Sequence, residues 1–177
     1  SYTVAAYDAA GNASAQSSAA SATTQGTGIS NLAPNPSFET DPKLDYYTHG
    51  TATYAWATDA FHAGSRSLKV VSTQPAGTLT RWLSRTTKIK AVPGSSYTAS
   101  VWLKATGVTN QANLTINFWD ASLNHLGSYS SSPLTGTTGW TQKSVAATAP
   151  GNAAYLRVEF RLLGSGTIWA DDVHVSK

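Results

Sequence analysis

The sequence predicts an all-β fold, built from many short strands in a sandwich or a barrel, and three observations support this class. Apolar and polar residues alternate along most of the 177-residue chain, whereas helical periodicity is nearly absent. Gly, Pro and Asn residues separate the alternating runs, as turns between strands require. Charged residues make up only 12% of the chain, and small hydroxyl and amide residues take their place. Because this composition is common in secreted bacterial β-proteins, we expect a secreted, extracellular protein.

Composition and charge exclude cysteine-based functions and argue against nucleic-acid and membrane partners. The chain has no Cys, which excludes disulfides, thiolate metal sites and cysteine nucleophiles. Its net charge is +3, but the positive residues are scattered, and the densest group (residues 81–90) alternates with apolar residues as a solvated strand does. We therefore expect no nucleic-acid partner. No apolar run approaches the roughly 20 residues of a membrane helix, so we expect no membrane partner.

The first 28 residues differ from the rest of the chain. Residues 2–14 (YTVAAYDAAGNAS) read as a strand and a turn, and they resemble the last hairpin of a fibronectin type III domain. Residues 13–27 form a linker rich in Ser, Ala, Thr and Gly. Since one hairpin is not stable alone, we infer that a fibronectin-like domain precedes this piece in the full protein. We therefore divide the chain into a tail, residues 1–28, and a main domain, residues 29–177.

The main domain begins with an extended segment at 31–40 that we predict to be its first strand. Tyr46 and Tyr47 are placed in or near a long loop that follows. The remaining predicted strands lie at 51–58, 66–72, 77–85, 86–91, 96–105, 112–120, 125–130, 140–148, 153–163 and 167–176.

Five stretches of the main domain, in this order, resemble the jelly-roll carbohydrate-binding modules of the family 4, 9 and 22 group. They are residues 31–39 (NLAPNPSFE), 63–70 (AGSRSLKV), 92–105 (VPGSSYTASVWLKA), 139–141 (GWT) and 168–175 (IWADDVHV). The resemblance implies a jelly-roll β-sandwich of two antiparallel sheets. It also implies a monomeric, non-catalytic module that binds a polysaccharide or oligosaccharide on a concave sheet face and is linked to a catalytic domain outside this chain.

Strand alternation identifies candidate residues for the sugar-binding face. In 97–104, 114–120 and 155–162, every second residue is apolar, and these residues define the core face. We assign the opposite face to carbohydrate binding by Trp82, Trp102, Trp119, Asn117, Arg157, Glu159 and Arg161. Indole rings can stack on the apolar faces of sugars, and the polar groups can bind hydroxyls or carboxylates. The alternative is that a loop or a partner domain covers one or more of these tryptophans.

The resemblance further implies a structural Ca²⁺ near the first and last strands, with Glu39 and Asp171 as carboxylate ligands and with Ser65 and Ser67 contributing to the shell. Oxygen ligands of this kind suit calcium. Alternation places Asp171 on the same face as Val173, which should be the core, so its carboxylate needs a cation or hydrogen-bond donors. The alternative is a hydrogen-bonded, buried aspartate without a metal.

Two other functions compete with carbohydrate binding. Residues 157–161 (RVEFR) resemble the R-x-E-x-R strand of jelly-roll alginate lyases, but the other motifs of those enzymes are missing. We therefore predict that the chain is not an enzyme, although Arg157 and Arg161 leave acidic, uronate-containing ligands open. The second alternative is a structural or adhesive spacer that keeps the fold without a ligand site.

Overall fold

The computed structural model describes residues 3–18 and 30–177, and strands account for most of the second segment. Its ten strands are β1 (Tyr46–His49), β2 (Thr53–Ala57), β3 (Ser67–Thr73), β4 (Leu79–Ser84), β5 (Ile89–Lys90), β6 (Ser96–Trp119), β7 (His125–Ser130), β8 (Leu134–Thr148), β9 (Tyr155–Leu163) and β10 (Ser165–Ser176). A single 3-10 turn, Pro42–Leu44, precedes β1. Among the described residues, no helix has the length and apolarity needed to cross a membrane.

The strands form a β-sandwich in which all pairings are antiparallel. Sheet A has the order β2-β3-β10-β6-β8, and sheet B has the order β1-β4-β9-β6-β7, with β5 paired to the start of β9. The strand β6 belongs to both sheets because its first part pairs with β10 and β8, whereas residues 111–119 pair with β9. This arrangement confirms the predicted all-β jelly-roll class.

The bend in β6 lets one strand pass from sheet A to sheet B. Its register with β8 shifts three times between Leu103 and Ala112, and Gly107 lies at φ +61° within this stretch. Gly166 of β10 approaches the bend so closely that a Cβ atom would lie 2.8 Å from the Cα of Val108. Only glycine fits there, because its φ is +134° and no side chain has room.

The core fills the space between the two sheets. Phe38, Tyr46 and Phe160 form an aromatic group with ring centroids 5.2 to 6.0 Å apart, and none is more than 1% exposed. Trp82 of β4 crosses the sandwich, and its Nε1 donates a hydrogen bond of 2.9 Å to the carbonyl of Lys69 in β3. Both sheets therefore contribute to one continuous core.

The position of Trp82 corrects the prediction that it lies on the sugar-binding face. Trp82 is 8% exposed and pairs with Phe160, whose ring is in the core. Side chains do alternate along β4, but the two faces are the reverse of the predicted ones. The inward residues are Thr80, Trp82 and Ser84, and the outward residues are Leu79, Arg81 and Leu83. With leucines on one side and a tryptophan on the other, the sequence pattern does not show which side is buried.

Other elements also differ from the prediction. The segment 31–40 contains no strand and instead turns, with positive φ at Asn35 and Phe38. Tyr46 and Tyr47 lie in β1 rather than in a loop. In the tail, residues 4–17 form a hairpin with the Tyr7–Ala13 bridge, and its hydrogen bonds reach Ser17, within the predicted linker. Most of the linker lies outside the described residues. The fibronectin-like domain stays a prediction.

Replacing Trp82 with Ala should destabilise the sandwich, because it removes a buried indole and its hydrogen bond to Lys69. We expect a loss of about 3–5 kcal/mol in the free energy of unfolding. Urea denaturation measures it, with Leu44→Ala as the control, since Leu44 is 78% exposed. A loss below about 1 kcal/mol would contradict the core position of Trp82.

Candidate functional site

The outward face of sheet B carries polar side chains that are closed off from solvent. On β9 and the second part of β6, the aliphatic residues point into the core and the intervening residues point away from it. Five of these outward residues are nevertheless almost inaccessible, namely Asn113 (5%), Thr115 (0%), Asn117 (3%), Arg157 (7%) and Glu159 (0%). Polar groups lose hydration when they are buried, so each needs a partner within the cluster or in a ligand.

Glu159 is the centre of this cluster. Its Oε1 lies 2.7 Å from Nη2 of Arg157, and its Oε2 lies 2.9 Å from Nη1 of Arg81 and 3.0 Å from Nε of Arg161. The Arg161 contact is an ion pair without the alignment of a hydrogen bond. One carboxylate thus binds three guanidinium groups. We call Arg81, Arg157 and Arg161 together the arginine cluster. The pairing of β4 with β9 brings Arg81 directly opposite Arg161.

Arg157 connects the cluster to the aromatic residues of the same face. Its Nη1 donates to the hydroxyl of Tyr47 at 2.9 Å and to Oγ1 of Thr86 at 3.4 Å. Its guanidinium lies over the indole of Trp119, 4.5 Å from the ring centroid. This cation–π contact, together with the bond to Glu159, fixes the orientation of both the arginine and the indole.

Two hydrogen-bond donors beside the cluster lack an acceptor. The Oδ1 of Asn117 accepts from Ser128 and lies 3.3 Å from Nε2 of His125. The Nδ2 of Asn117 and the Nε1 of Trp119 are buried and have no partner among the described residues. Since unpaired buried donors are unfavourable, these two groups are suited to an incoming acceptor.

Three aromatic side chains border the polar cluster. Tyr47 lies beside it in β1, and Trp119 and Tyr155 pair directly across β6 and β9 at the other end. All three are partly exposed. The ammonium of Lys90 lies 4.4 Å from the ring centroid of Tyr155. The face therefore combines a buried charged floor with accessible aromatic rings.

The electrostatics of the face are dominated by positive charge. Burial lowers the pKa of Arg161 below its ordinary value, and the carboxylate of Glu159 opposes this shift. The positive charges of Arg81 and Arg157 lower the pKa of Arg161 further. Burial is therefore the main cause of the lowered pKa, and the attraction of Glu159 opposes the repulsion from the two neighbouring arginines.

Trp102 and Trp119 do not share a face, which corrects a second prediction. Trp119 lies on sheet B, whereas Trp102 lies on the outward face of sheet A, opposite Asp171. The imidazole of His62 stacks on Trp102, with the ring centroids 4.0 Å apart and the planes at 11°. Alternation correctly predicted that both tryptophans point away from the core, but a sandwich has two outward faces.

The structure places Asn117, Trp119, Arg157, Glu159 and Arg161 together on the outward face of sheet B, and it adds residues that the sequence did not reveal. Arg81 shares its side of β4 with two leucines and was interpreted as part of a solvated strand. Tyr47 lies in a four-residue strand that is too short to show alternation. Only the pairing of β1 with β4 and of β4 with β9 places these two residues in the site.

The four residues predicted to bind calcium hold the loop after β2, residues 58–66. Glu39 accepts hydrogen bonds from the backbone N–H of Ser65 (3.0 Å) and of Arg66 (3.0 Å) and from the hydroxyl of Ser65 (2.7 Å). Ser67 donates its hydroxyl to the carbonyl of Ala60 at 2.6 Å. Hydrogen bonds within the protein therefore hold this loop in place.

Asp171 is fully buried, but its face was predicted wrongly. A β-bulge between Asp171 and His174, with Asp172 at φ +48°, reverses the alternation. Asp171 therefore lies on the outward face of sheet A, beneath the loop, and accepts from the N–H groups of His62 (2.8 Å) and Ala63 (3.2 Å).

This donor set does not fit Ca²⁺ as arranged. Calcium takes about six to eight oxygen ligands, whereas Glu39 and Asp171 are surrounded by N–H and O–H donors. Within residues 3–18 and 30–177, no group of three or more His, Cys, Asp or Glu side chains could hold a metal ion. We derive no role from calcium, and its binding stays a prediction.

Comparison with solved structures supports the fold. A family 16 carbohydrate-binding module aligns with a TM-score of 0.62 at 16% identity, over 83% of this chain and 100% of the module. The CBM22-1 xylan-binding domain of Paenibacillus barcinonensis Xyn10C aligns with a TM-score of 0.61 at 12% identity, over 79% of this chain and 90% of that domain. At these identities the likeness shows the jelly-roll fold.

A larger protein shares the same fold in part. The enzymatically active domain of tailspike protein 4 from bacteriophage CBA120 aligns with a TM-score of 0.63 at 17% identity, over 82% of this chain. The present chain spans only 21% of that protein. No protein-family model matches the sequence. No curated protein sequence matches it significantly.

Replacing Glu159 with Gln should destabilise the protein by about 3–5 kcal/mol, because the buried guanidinium groups would lose their counter-charge. Urea denaturation provides the measurement. The double variant Glu159→Gln/Arg161→Gln serves as the comparison, and it should lose less stability because it also removes a positive charge. If Glu159→Gln alone were as stable as wild type, the arginine cluster would not depend on Glu159.

The ionisation of Asp171 should reduce stability at neutral pH. Burial raises its pKa to about 6, although the N–H groups of His62 and Ala63 act in the opposite direction. An unfolded Asp has a pKa of about 3.9, so the folded carboxyl binds its proton more tightly. The destabilisation is therefore absent below about pH 4, grows as the pH rises to about 6, and is complete above that value.

We accordingly expect the free energy of unfolding of wild type, relative to Asp171→Asn, to fall by up to about 3 kcal/mol between about pH 4 and pH 7. Urea unfolding in EDTA at several pH values measures the difference. The same series with added CaCl₂ tests calcium, because a bound cation would lower the pKa of Asp171. A relative stability that rises with pH in EDTA would contradict the shift.

Proposed function

We propose that this protein is a non-catalytic carbohydrate-binding module whose ligand lies on the outward face of sheet B. The observation that carries the proposal is the combination of a buried polar floor, buried donors without acceptors among the described residues, and three bordering aromatic rings on one sheet face. Ligand sites typically pair apolar contact area with a few fixed polar groups. Sugars supply both complements, since their rings have apolar C–H faces and hydroxyl edges.

The geometry suggests how a sugar would bind. Trp119 and Tyr155 are neighbours across two strands and offer adjacent rings for stacking. The unpaired Nε1 of Trp119 and Nδ2 of Asn117 would donate to sugar oxygens. Because Arg157 already holds the indole in place, little side-chain freedom would be lost on binding.

The solved structures of similar fold support this class of ligand. One is described as a carbohydrate-binding module and another as a xylan-binding domain. We extend carbohydrate binding to this chain because its own outward face carries the groups that such binding needs. The particular polysaccharide is not carried over from those proteins.

The proposed site holds its ligand without chemical change. Hydrolysis of a glycosidic bond generally uses two carboxylates, one on each side of the bond. Glu159 is fully buried and ion-paired with three arginines, so it is not free to transfer a proton to a substrate. We further propose that the module is monomeric and attaches a secreted catalytic domain to its substrate. Such attachment raises the local concentration of enzyme on the polysaccharide.

Replacing Trp119 with Ala should weaken carbohydrate binding at least about tenfold, because it removes a stacking ring and a donor. Affinity electrophoresis and pull-down against neutral glucans, xylan, mannan, chitin, alginate and pectin measure the effect. Trp102→Ala is the matched control, since Trp102 lies on the other sheet and is stacked by His62. It should bind as wild type does.

Two results would contradict the proposal. Equal loss of binding in the Trp102 and Trp119 variants, both shown to be folded, would move the site away from sheet B. Failure of folded wild-type protein to bind any glycan would favour the spacer without a ligand.

A further inference from the structure

We propose that the arginine cluster binds a negatively charged sugar substituent, a uronate carboxylate or a sulfate ester, so that the ligand is an acidic polysaccharide. This inference rests on the proposed function and specifies its ligand. Three guanidinium groups, those of Arg81, Arg157 and Arg161, share the single carboxylate of Glu159. The site therefore carries two positive charges without a counter-charge from Glu159.

Two further cations extend the positive charge to the rim. The guanidinium of Arg85 lies 5.9 Å from the ring centroid of Tyr47, and Lys90 lies against Tyr155. Arg85 follows β4 and Lys90 lies in β5, and each is next to an aromatic ring that would contact the sugar. A neutral sugar would leave this charge unbalanced, whereas an anion would neutralise part of it.

Arg161 is the residue best placed to hold the anion. Glu159 contacts its Nε, and among the described residues no acceptor is bonded to either of its terminal nitrogens. Its side chain is 21% exposed, more than that of Arg81 (16%) or Arg157 (8%). With its Nε beside Glu159, this guanidinium keeps its two Nη groups for a ligand, and as a pair they match the two oxygens of a carboxylate or sulfate.

The remaining arginines have roles of a different kind. Both terminal nitrogens of Arg157 are bonded, to Tyr47, Thr86 and Glu159, so Arg157 positions the site. Arg81 uses Nη1 for Glu159. Burial lowers the pKa of Arg161, and a bound anion would favour its charged form. An anion bound beside Arg161 would relieve the repulsion among the three arginines.

The test compares each acidic polysaccharide with its neutral counterpart. Polygalacturonate is paired with its carboxyl-reduced form, and a sulfated galactan with its desulfated form. Isothermal titration calorimetry at low and high NaCl measures binding by wild type, Arg161→Gln and Lys104→Gln. Lys104→Gln removes the same charge from the outward face of sheet A and is the matched control. Circular dichroism and urea denaturation verify that each variant is folded.

We expect wild type to bind a carboxylated or a sulfated polysaccharide at least about tenfold more tightly than the matching neutral form, with affinity falling as salt rises. Arg161→Gln should lose most of this preference, whereas Lys104→Gln should keep it. The carboxylated and sulfated arms show which anion is recognised.

Equal binding of the acidic and neutral forms would overturn the inference and leave carbohydrate binding intact. An unchanged preference in folded Arg161→Gln would also overturn it. Absence of binding to every polysaccharide would instead remove the proposed function itself. Single-stranded DNA is included as a polyanion without sugar-ring faces of this kind, and binding to it as tight as to the acidic glycans would show that charge alone is recognised, which contradicts the proposal.

Discussion

The ion pairs of Glu159 are the constraint on which the outward face of sheet B depends. A carboxylate with 0% exposure is stable only where its partners are close and well oriented, and here three arginines supply them. Those partners come from two adjacent strands, β4 and β9, and the hydroxyl of Tyr47 brings in β1. Glu159 and Arg157 thereby connect side chains of three neighbouring strands of sheet B. A buried ion-pair network of this kind stabilises a fold less than apolar packing of the same volume would.

The same network gives the face its chemical character. Arg157 is bonded to Glu159 and lies over Trp119. It therefore connects the buried charged residues to the aromatic rings that border them. A ligand would meet side chains that already hold their bound orientation, which reduces the entropy lost on association. Among the described residues, the donors of Asn117 and Trp119 and the terminal nitrogens of Arg161 have no acceptor, and all of them are N–H groups. The site is therefore rich in hydrogen-bond donors and poor in hydrogen-bond acceptors. It differs in this respect from a surface that offers both kinds of group to sugar hydroxyls.

The outward face of sheet A is organised differently. The loop at 58–66 lies over it, and Asp171 holds the loop by accepting from two of its backbone N–H groups. Trp169 is covered in the same way, with its Nε1 bonded to Asp59 at 3.0 Å, and Trp102 is stacked by His62. Outward aromatic residues on sheet A are thus bonded or stacked by residues of a loop, whereas those on sheet B border the polar cluster. This contrast explains why an outward tryptophan is not by itself a sign of ligand binding.

By itself, the sequence determined the all-β class, most of the strands after residue 50, and the assignment of Trp119, Asn117, Arg157, Glu159 and Arg161 to one outward face, because side-chain alternation is a local property of each strand. Tertiary structure decided which sheet, and which face of the sandwich, each of the other residues occupies. It placed Trp82 in the core and Trp102 on the opposite sheet, since a local pattern does not tell which strands become neighbours. It turned Asp171 outward through a bulge and brought Arg81 and Tyr47 to Glu159. The physical reason is that strand register and sheet membership depend on contacts between residues distant in the chain, which no single stretch of sequence encodes.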